Sequence, residues 1–324
     1  MIHMKAVAPK PKAKTSTYFR TLRKDIVRDW QLHLLMLLPI AYILLFLYWP
    51  MYGVQIAFRD FRPKTGITGS AWVGLKWFRK FVSSYNFWEV FTNTITLSLY
   101  TLAVGFPIPV AFALLINTVK NEKFKKVVQT VSYVPHFISI TVIVSIMNLV
   151  FSPVSGFYGN FFRLFGGEGY PTDFRGLADS FRHMYAWSGV WQETGWNAII
   201  YTAALSSVSS ELHEAAQIDG ASRWKRIFHI DLPAILPTVG IMLILRFGSV
   251  MSIGFEKAYL MQSSMNMGVS EIISTYIYKV GMGKASDFSY GAAVGLVNSV
   301  INCSMLLLVN WITKKISDKE VSLF

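Results

Sequence analysis

One cysteine occurs in 324 residues. Cys303 therefore closes no disulfide within the chain, and its place inside an apolar run makes it a small packing residue. Charge is also scarce: 15% of residues are Asp, Glu, Lys or Arg, where soluble domains carry about 25%. With 53% hydrophobic residues and a mean hydropathy of +0.40, the chain is too apolar for an ordinary water-soluble domain. Acids are the rarer charge, 18 against 31 bases, for a net charge of +13. That excess does not indicate nucleic acid as a partner, because the bases sit in short segments flanking apolar runs and form no stripe interleaved with aromatics. His33, His136 and His183 fall on different runs and loop ends, without the paired spacing of a metal site or an acid–base constellation. A nucleotide loop of the form G-x-x-x-x-G-K-[ST] is missing as well. GMGKAS at 281–286 lacks the spacing, and GGEG at 166–169 reads as a flexible turn. No catalytic residue, metal site or cofactor is expected in this chain.

Apolar runs fill the space that charge vacates. Residues 34–54, LLMLLPIAYILLFLYWPMYGV, hold no charge over 21 residues. At 1.5 Å per residue such a helix crosses the roughly 30 Å of hydrocarbon in a bilayer. The run is too long for a signal-peptide core and no small-x-small site follows it, so it is expected to remain as an anchor. Six spans are expected, near 32–57, 90–119, 127–151, 184–206, 233–255 and 288–312, giving an all-α polytopic membrane protein in contact with lipid. Pro107 and Pro109 should kink the second span, and SPVSG at 152–156 should stop the third. With the N-terminus inside, 18 Lys and Arg lie in inner segments and 12 in outer ones, which places both termini in the cytoplasm. The first outer loop opposes this bias with six bases between residues 59 and 81. Residues 1–30 read as a basic cytoplasmic tail near anionic lipid, and residues 31–324 as one transmembrane domain. Outer connections at 58–89, 152–183 and 256–287 should carry short helices or binding surface.

A charged insert at 207–232 is unlike the other connections. Its core, continued to the proline that opens the next span, is EAAQIDGASRWKRIFHIDLP at 214–233. Ser210 is the expected N-cap, with Glu211 and Glu214 where the helix dipole favours negative charge. Leu212, Ala215 and Ala216 follow i, i+3, i+4 spacing and make a small apolar face. Gly220 then ends the helix in the left-handed conformation. A second segment places Trp224, Ile227 and Phe228 on one stripe among Arg223, Lys225 and Arg226. An interfacial linker lying on lipid would explain the second segment, but lipid headgroups would not reward an Ala-Ala face flanked by acids. A bent helix pair that docks on a protein accounts for both.

At these residues the chain resembles the permease subunits of binding-protein-dependent ABC importers, whose EAA loop has Glu214-Ala215-Ala216, Asp219-Gly220-Ala221, Phe228 and Leu232-Pro233 in this spacing. YWPMYGVQIAF, WVGLKWF, SYVPHFIS and GVWQETGWNAIIYTAALSSV extend the similarity to the carbohydrate-uptake branch, in particular its polysaccharide members. The resemblance implies a type I ABC importer permease fold, with Glu214, Ala215, Ala216, Asp219, Gly220 and Ala221 seated in a cleft of an ATPase. It implies a second homologous permease, a dimer of ATP-binding subunits that hold ATP and Mg, an extracytoplasmic solute-binding protein, and an oligosaccharide or polysaccharide cargo. Alginate is the favoured cargo.

Glu193 and Arg246 lie near the middle of spans, where an isolated charge costs about 2.5–3.5 kcal/mol on insertion scales. They read either as a structural ion pair across antiparallel spans or as part of a path for cargo. Gln192 and Asn197 are further path candidates that could instead bond neighbouring helices. Aromatics at Tyr185, Trp187, Trp191 and Trp196 offer faces of the kind a sugar path needs, although Tyr185 and Trp187 read rather as interfacial anchors. Arg59, Arg62 and Lys64 could attract a polyuronate or hold a binding protein. A rival to the importer is an ion-coupled carrier using Glu193 as its proton site, which leaves the docking insert without a purpose.

Overall fold

The computed structural model describes residues 28–251, 253–283 and 286–316. The expected basic tail before residue 28, the last residues of the chain and part of GMGKAS lie outside these. Among the described residues the chain is helical, with isolated bridges Arg59 to Trp72 and Arg62 to Gly66. Residues through Gln55 form one compact unit and those from Ile56 another. The described part of the first unit belongs almost wholly to the helix α1 (Trp30–Phe58), 29 residues containing an 18-residue stretch of mean hydropathy 2.1, whose last three residues are counted with the second unit. It is long enough to cross a bilayer, and a π-turn at Leu44–Tyr48 interrupts its regular bonding.

In the second unit, α2 (Lys76–Val82) leads to α3 (Tyr85–Asn117, 33 residues). Ser84 caps α3 by accepting from the Phe87 N–H, and Pro107 opens its second segment after a one-residue break at Phe106. Proline supplies no N–H, so it is tolerated where a helix restarts. The third expected span is not one rod. α4 (Glu122–Phe137) and α5 (Ile140–Val150) meet at 100°. A 3₁₀ turn containing Pro135 ends α4, Ile138 is extended, and Ser139 caps α5 by accepting from the Val142 N–H. The bend has two local causes, a helix breaker and a new N-cap four residues later.

After the short α6 (Phe157–Leu164), bounded by positive-φ glycines 166 and 169, comes α7 (Ala178–Leu205, 28 residues). This is the expected fourth span, begun six residues earlier. It carries Asp179, Arg182 and Glu193, and is less apolar than the other spans. Phe181, Tyr185, Gln192, Gly195, Ala198, Tyr201 and Leu205 are buried along it, because it packs against α3, α4 and the fifth span. A helix shielded by neighbours can hold polar groups that lipid would reject. α8 (Ser210–Ile218) is the insert, and α9 (Arg223–Gly248) starts ten residues before the expected fifth span. α10 (Phe255–Met261), α11 (Met267–Ser270) and α12 (Ile273–Met282) fill the last connection. The final span is α13 (Phe288–Ile316).

Three packing centres hold the unit, one of them formed by Leu97, Phe181, Tyr185, Ala258 and Ile272 between α3, α7, α10 and the start of α12. Phe81, Val90, Met251, Ile273, Tyr276 and Val294 join α2, α3, α12 and α13. Ala113, Ala198, Tyr201, Leu205 and Ile235 join α3, α7 and α9. Buried polar groups are paired across helices: Asn93 Nδ2 donates to the Gly268 carbonyl at 2.8 Å, and Thr94 Oγ1 accepts from the Ile273 N–H at 2.9 Å. In a membrane bundle such bonds and close backbone approach replace the hydrophobic effect between helices.

Candidate functional site

The insert forms as a bent pair. Ser209, one residue before the expected cap, accepts from the Glu211 N–H at 3.2 Å. The shift leaves Glu211 in the first turn, where its charge opposes the dipole. Gly220 has φ +74°, its N–H reaches the Gln217 carbonyl at 3.1 Å, and the Ala221 N–H reaches the Ala216 carbonyl at 2.8 Å. These two bonds are a Schellman closure, which requires the left-handed residue between them. Ser222 then caps α9, and a π-turn at Ile227–Asp231 precedes the apolar part of that span.

The exposed face of α8 differs from the expected one. Ala216 is half-buried with His213 on the side toward the bundle, while Glu211, Glu214, Ala215 and Ile218 are exposed on the other. Leu212 and Ile218 are 56% and 86% exposed, and Trp224 and Phe228 are exposed and stacked nearby. Four large apolar side chains are thus open beside Glu214-Ala215, with Asp219 at the bend. Apolar clusters rimmed by charge mark interaction surfaces.

The second feature is a cavity of about 410 Å³ between α3, α7, α9 and α10. All four path candidates line it: Gln192, Glu193, Asn197 and Arg246. Glu193 and Arg246 do not pair with each other. Glu193 Oε2 lies 3.0 Å from His136 Nδ1, and Arg246 donates to Asn197 Oδ1 at 2.9 Å. The bend between α4 and α5 brings His136 to α7, where its ring stacks on Trp196 at 4.3 Å. Gln192 is buried and donates to the Ile138 carbonyl at 3.0 Å, bracing that bend. Its role is at least partly structural.

Of two further lining residues, one was read rather as an anchor and the other escaped the sequence reading. Tyr185, expected at the interface, is buried and donates to the Gly254 carbonyl. Lys257 is buried on α10; its Nζ donates to the Tyr185 carbonyl at 2.8 Å and lies 4.8 Å from that ring's centre. No carboxylate lies within 4.0 Å of it among the described residues. Burial pushes its ammonium down to about 8, and the charge of Glu193 works against that shift. Trp187 is half exposed and donates to Tyr100 Oη, which also meets His183 at 2.8 Å. In the loop that follows α1, Arg59 is committed locally to the Ser70 carbonyl and the Trp72 ring. No cluster able to hold a metal occurs among the described residues.

The chain is similar to several known proteins. Protein LplB of Bacillus subtilis (strain 168) is 41% identical over 288 residues, 89% of this chain and 90% of that protein. The polygalacturonan/rhamnogalacturonan transport system permease protein YteP of the same bacterium is 38% identical over 296 residues, 91% of each chain. A chain in the crystal structure of a bacterial ABC transporter involved in the import of the acidic polysaccharide alginate superposes with a TM-score of 0.82. It is 36% identical, over 92% of this chain and 99% of that one. Residues 105–318 match the family described as binding-protein-dependent transport system inner membrane component. The chain therefore belongs to that family and has its type I permease fold.

Proposed function

We propose that this chain forms half of the translocation path of an ATP-driven importer for uronate-containing oligosaccharides, with alginate the favoured cargo. The observation that carries the cargo class is the charge of the cavity. It presents Arg246 and Lys257, while its carboxylate, Glu193, already has a partner in His136. Two cations against one carboxylate leave a net positive charge, which behind low-dielectric walls attracts carboxylates. Relatives support the same class: one carries polygalacturonan/rhamnogalacturonan in its name, and one structure is of an alginate importer in complex with an alginate pentasaccharide-bound periplasmic protein.

In this reading α8 is the coupling helix, within a cytoplasmic loop at 207–232 of a transmembrane domain at 31–324. It seats Glu214, Ala215, Ala216, Asp219, Gly220 and Ala221 on a separate ATPase dimer that binds ATP and Mg. A second permease completes the path, and a solute-binding protein delivers the sugar. Both termini lie in the cytoplasm, and no residue of this chain is catalytic. The ATPase supplies motion, and rigid displacement of the spans around the cavity exposes it alternately to either side.

Uptake into proteoliposomes holding both permeases, the ATPase and the binding protein tests this. Arg246→Met and Lys257→Met should each lower uptake of a uronate oligosaccharide about tenfold, or about 1.4 kcal/mol, and spare its carboxyl-reduced neutral analogue. Equal loss for both sugars removes the carboxylate reading. Uptake driven by a proton gradient without ATP removes the importer reading altogether. The Lys257 charge is present below about pH 8 and lost above it. Uronate uptake should therefore fall as the pH on the cavity side rises through that value, and Lys257→Arg should abolish the fall, since guanidinium stays charged.

A further inference from the structure

Covalent continuity, through Gly220 to α9 and through residues 206–209 to α7, is not the only connection of α8 to the spans. His213 Nε2 lies 3.2 Å from Asp231 Oδ1, and Asn117 Nδ2 donates to the same oxygen at 3.3 Å. These residues come from three elements: His213 from the inward face of α8, Asp231 from the end of the π-turn in α9, and Asn117 from the last position of α3. The Asp231 side chain is 2% exposed, so its oxygens have given up water and depend on these donors. Arg226, one turn earlier on α9, is the other charged group acting on Asp231; its Nε is buried without a hydrogen bond. The π-turn matters to the placement. Its extra residue turns Asp231 by about 100° relative to an unbroken helix.

Resting on the reading of α8 as the coupling helix, we propose that His213, Asp231 and Asn117 form a clasp that makes α8 move as one body with α9 and α3. They are positioning residues. The joint at Gly220 is held by two backbone bonds and has open space at its side, where an added Cβ meets nothing within 4 Å, so a load passing from α8 to α9 through it alone would bend the joint before displacing the span. The clasp closes a triangle around that joint. Through Asp231 the load reaches α9, which carries Arg246, and through Asn117 it reaches α3, which supplies Ser98, Thr101 and Pro109 to the cavity. Two walls of the cavity then move with one helix.

The test compares His213→Gln, Asp231→Asn, Asp231→Leu and the double variant His213→Gln/Asp231→Asn in the reconstituted importer, in a Cys303→Ser background. Cargo imported per ATP hydrolysed is the readout, since a mere folding defect lowers both quantities together. His213→Gln and Asp231→Leu should lower the ratio about tenfold, as expected for loss of a close charge-assisted contact, with stimulated ATP hydrolysis retained. Asp231→Asn keeps an acceptor oxygen and should lose less. The double variant should be no worse than its poorer parent. An unchanged ratio in His213→Gln, or additive losses in the double variant, overturns the clasp. Cross-linking of Ala215→Cys to the ATPase separates the two levels of the argument. A cross-link that persists in clasp variants leaves the docking reading intact, whereas none in the otherwise unaltered importer removes that reading and the clasp with it.

Discussion

Gly220→Pro abolishes ATP-driven uptake while the protein still reaches the membrane: that is the expected result of replacing the residue at the bend of the insert. Gly220 holds φ +74°, and the proline ring fixes φ near −65°. Proline also removes the N–H that reaches the Gln217 carbonyl. Both bonds of the closure are then lost, because the Ala221 N–H meets the Ala216 carbonyl only when the chain reverses at residue 220. The last turn of α8 unwinds, and Glu214-Ala215 and Asp219 no longer present one surface. Membrane insertion depends on the apolar spans and not on this turn, so the variant should be recovered from membranes in near-normal amount. Gly220→Asn is the informative control, since asparagine enters the left-handed region at small cost, and it should retain most of its uptake. Normal uptake by the proline variant would show that the bent geometry is not what the ATPase grips.

The second large effect is expected at Gly195, far from the insert. A Cβ at this position would collide with the carbonyl oxygen and carbon of Ser132. These are backbone atoms of α4 and cannot rotate aside. Gly195→Val must therefore push α4 away from α7, at a cost of about 3 kcal/mol, the upper part of the range for an overfilled site. The separation would also break His136 from Glu193 and Gln192 from the Ile138 carbonyl, both of which span the same crossing. Little folded importer should survive detergent extraction, measured as the monodisperse complex retained on heating. Gly105→Ala on α3, where an added Cβ meets nothing within 4 Å, should be tolerated. Equal stability of Gly195→Val and the unaltered protein would mean that α4 and α7 do not cross at this glycine.

The apolar runs and the insert were legible because their signals are local. An uncharged run the length of a bilayer is a span whatever surrounds it, and helices occur at all six expected positions. Gly220 needs only its own backbone conformation to end α8, and Ser209 in place of Ser210 is a shift of one position. A helix stands where the fourth span was expected, but its composition does not place it among the helices apolar enough to cross a bilayer, and its embedding was not foreseen. Nothing in residues 178–205 states that their polar groups face protein, which follows from α3, α4 and α9 surrounding them.

The interior of the site was less legible. Proline in a span is compatible with anything from a gentle kink to a full break. The 100° turn after Phe137 arises only with Ile138 extended and Ser139 starting a new helix. That turn carries His136 to Glu193, which leaves Arg246 to Asn197 and defeats the ion pair expected from two charges on antiparallel spans. Lys257 lay in what read as an outer connection, and Tyr185 in what read as an interface. Composition and periodicity therefore determined that this chain is a membrane bundle bearing one charged, bent insert. Which polar side chains meet inside it was decided by the rotation of each helix about its own axis and by where helices break. Those quantities depend on contacts between residues distant in the chain, and no single segment encodes them.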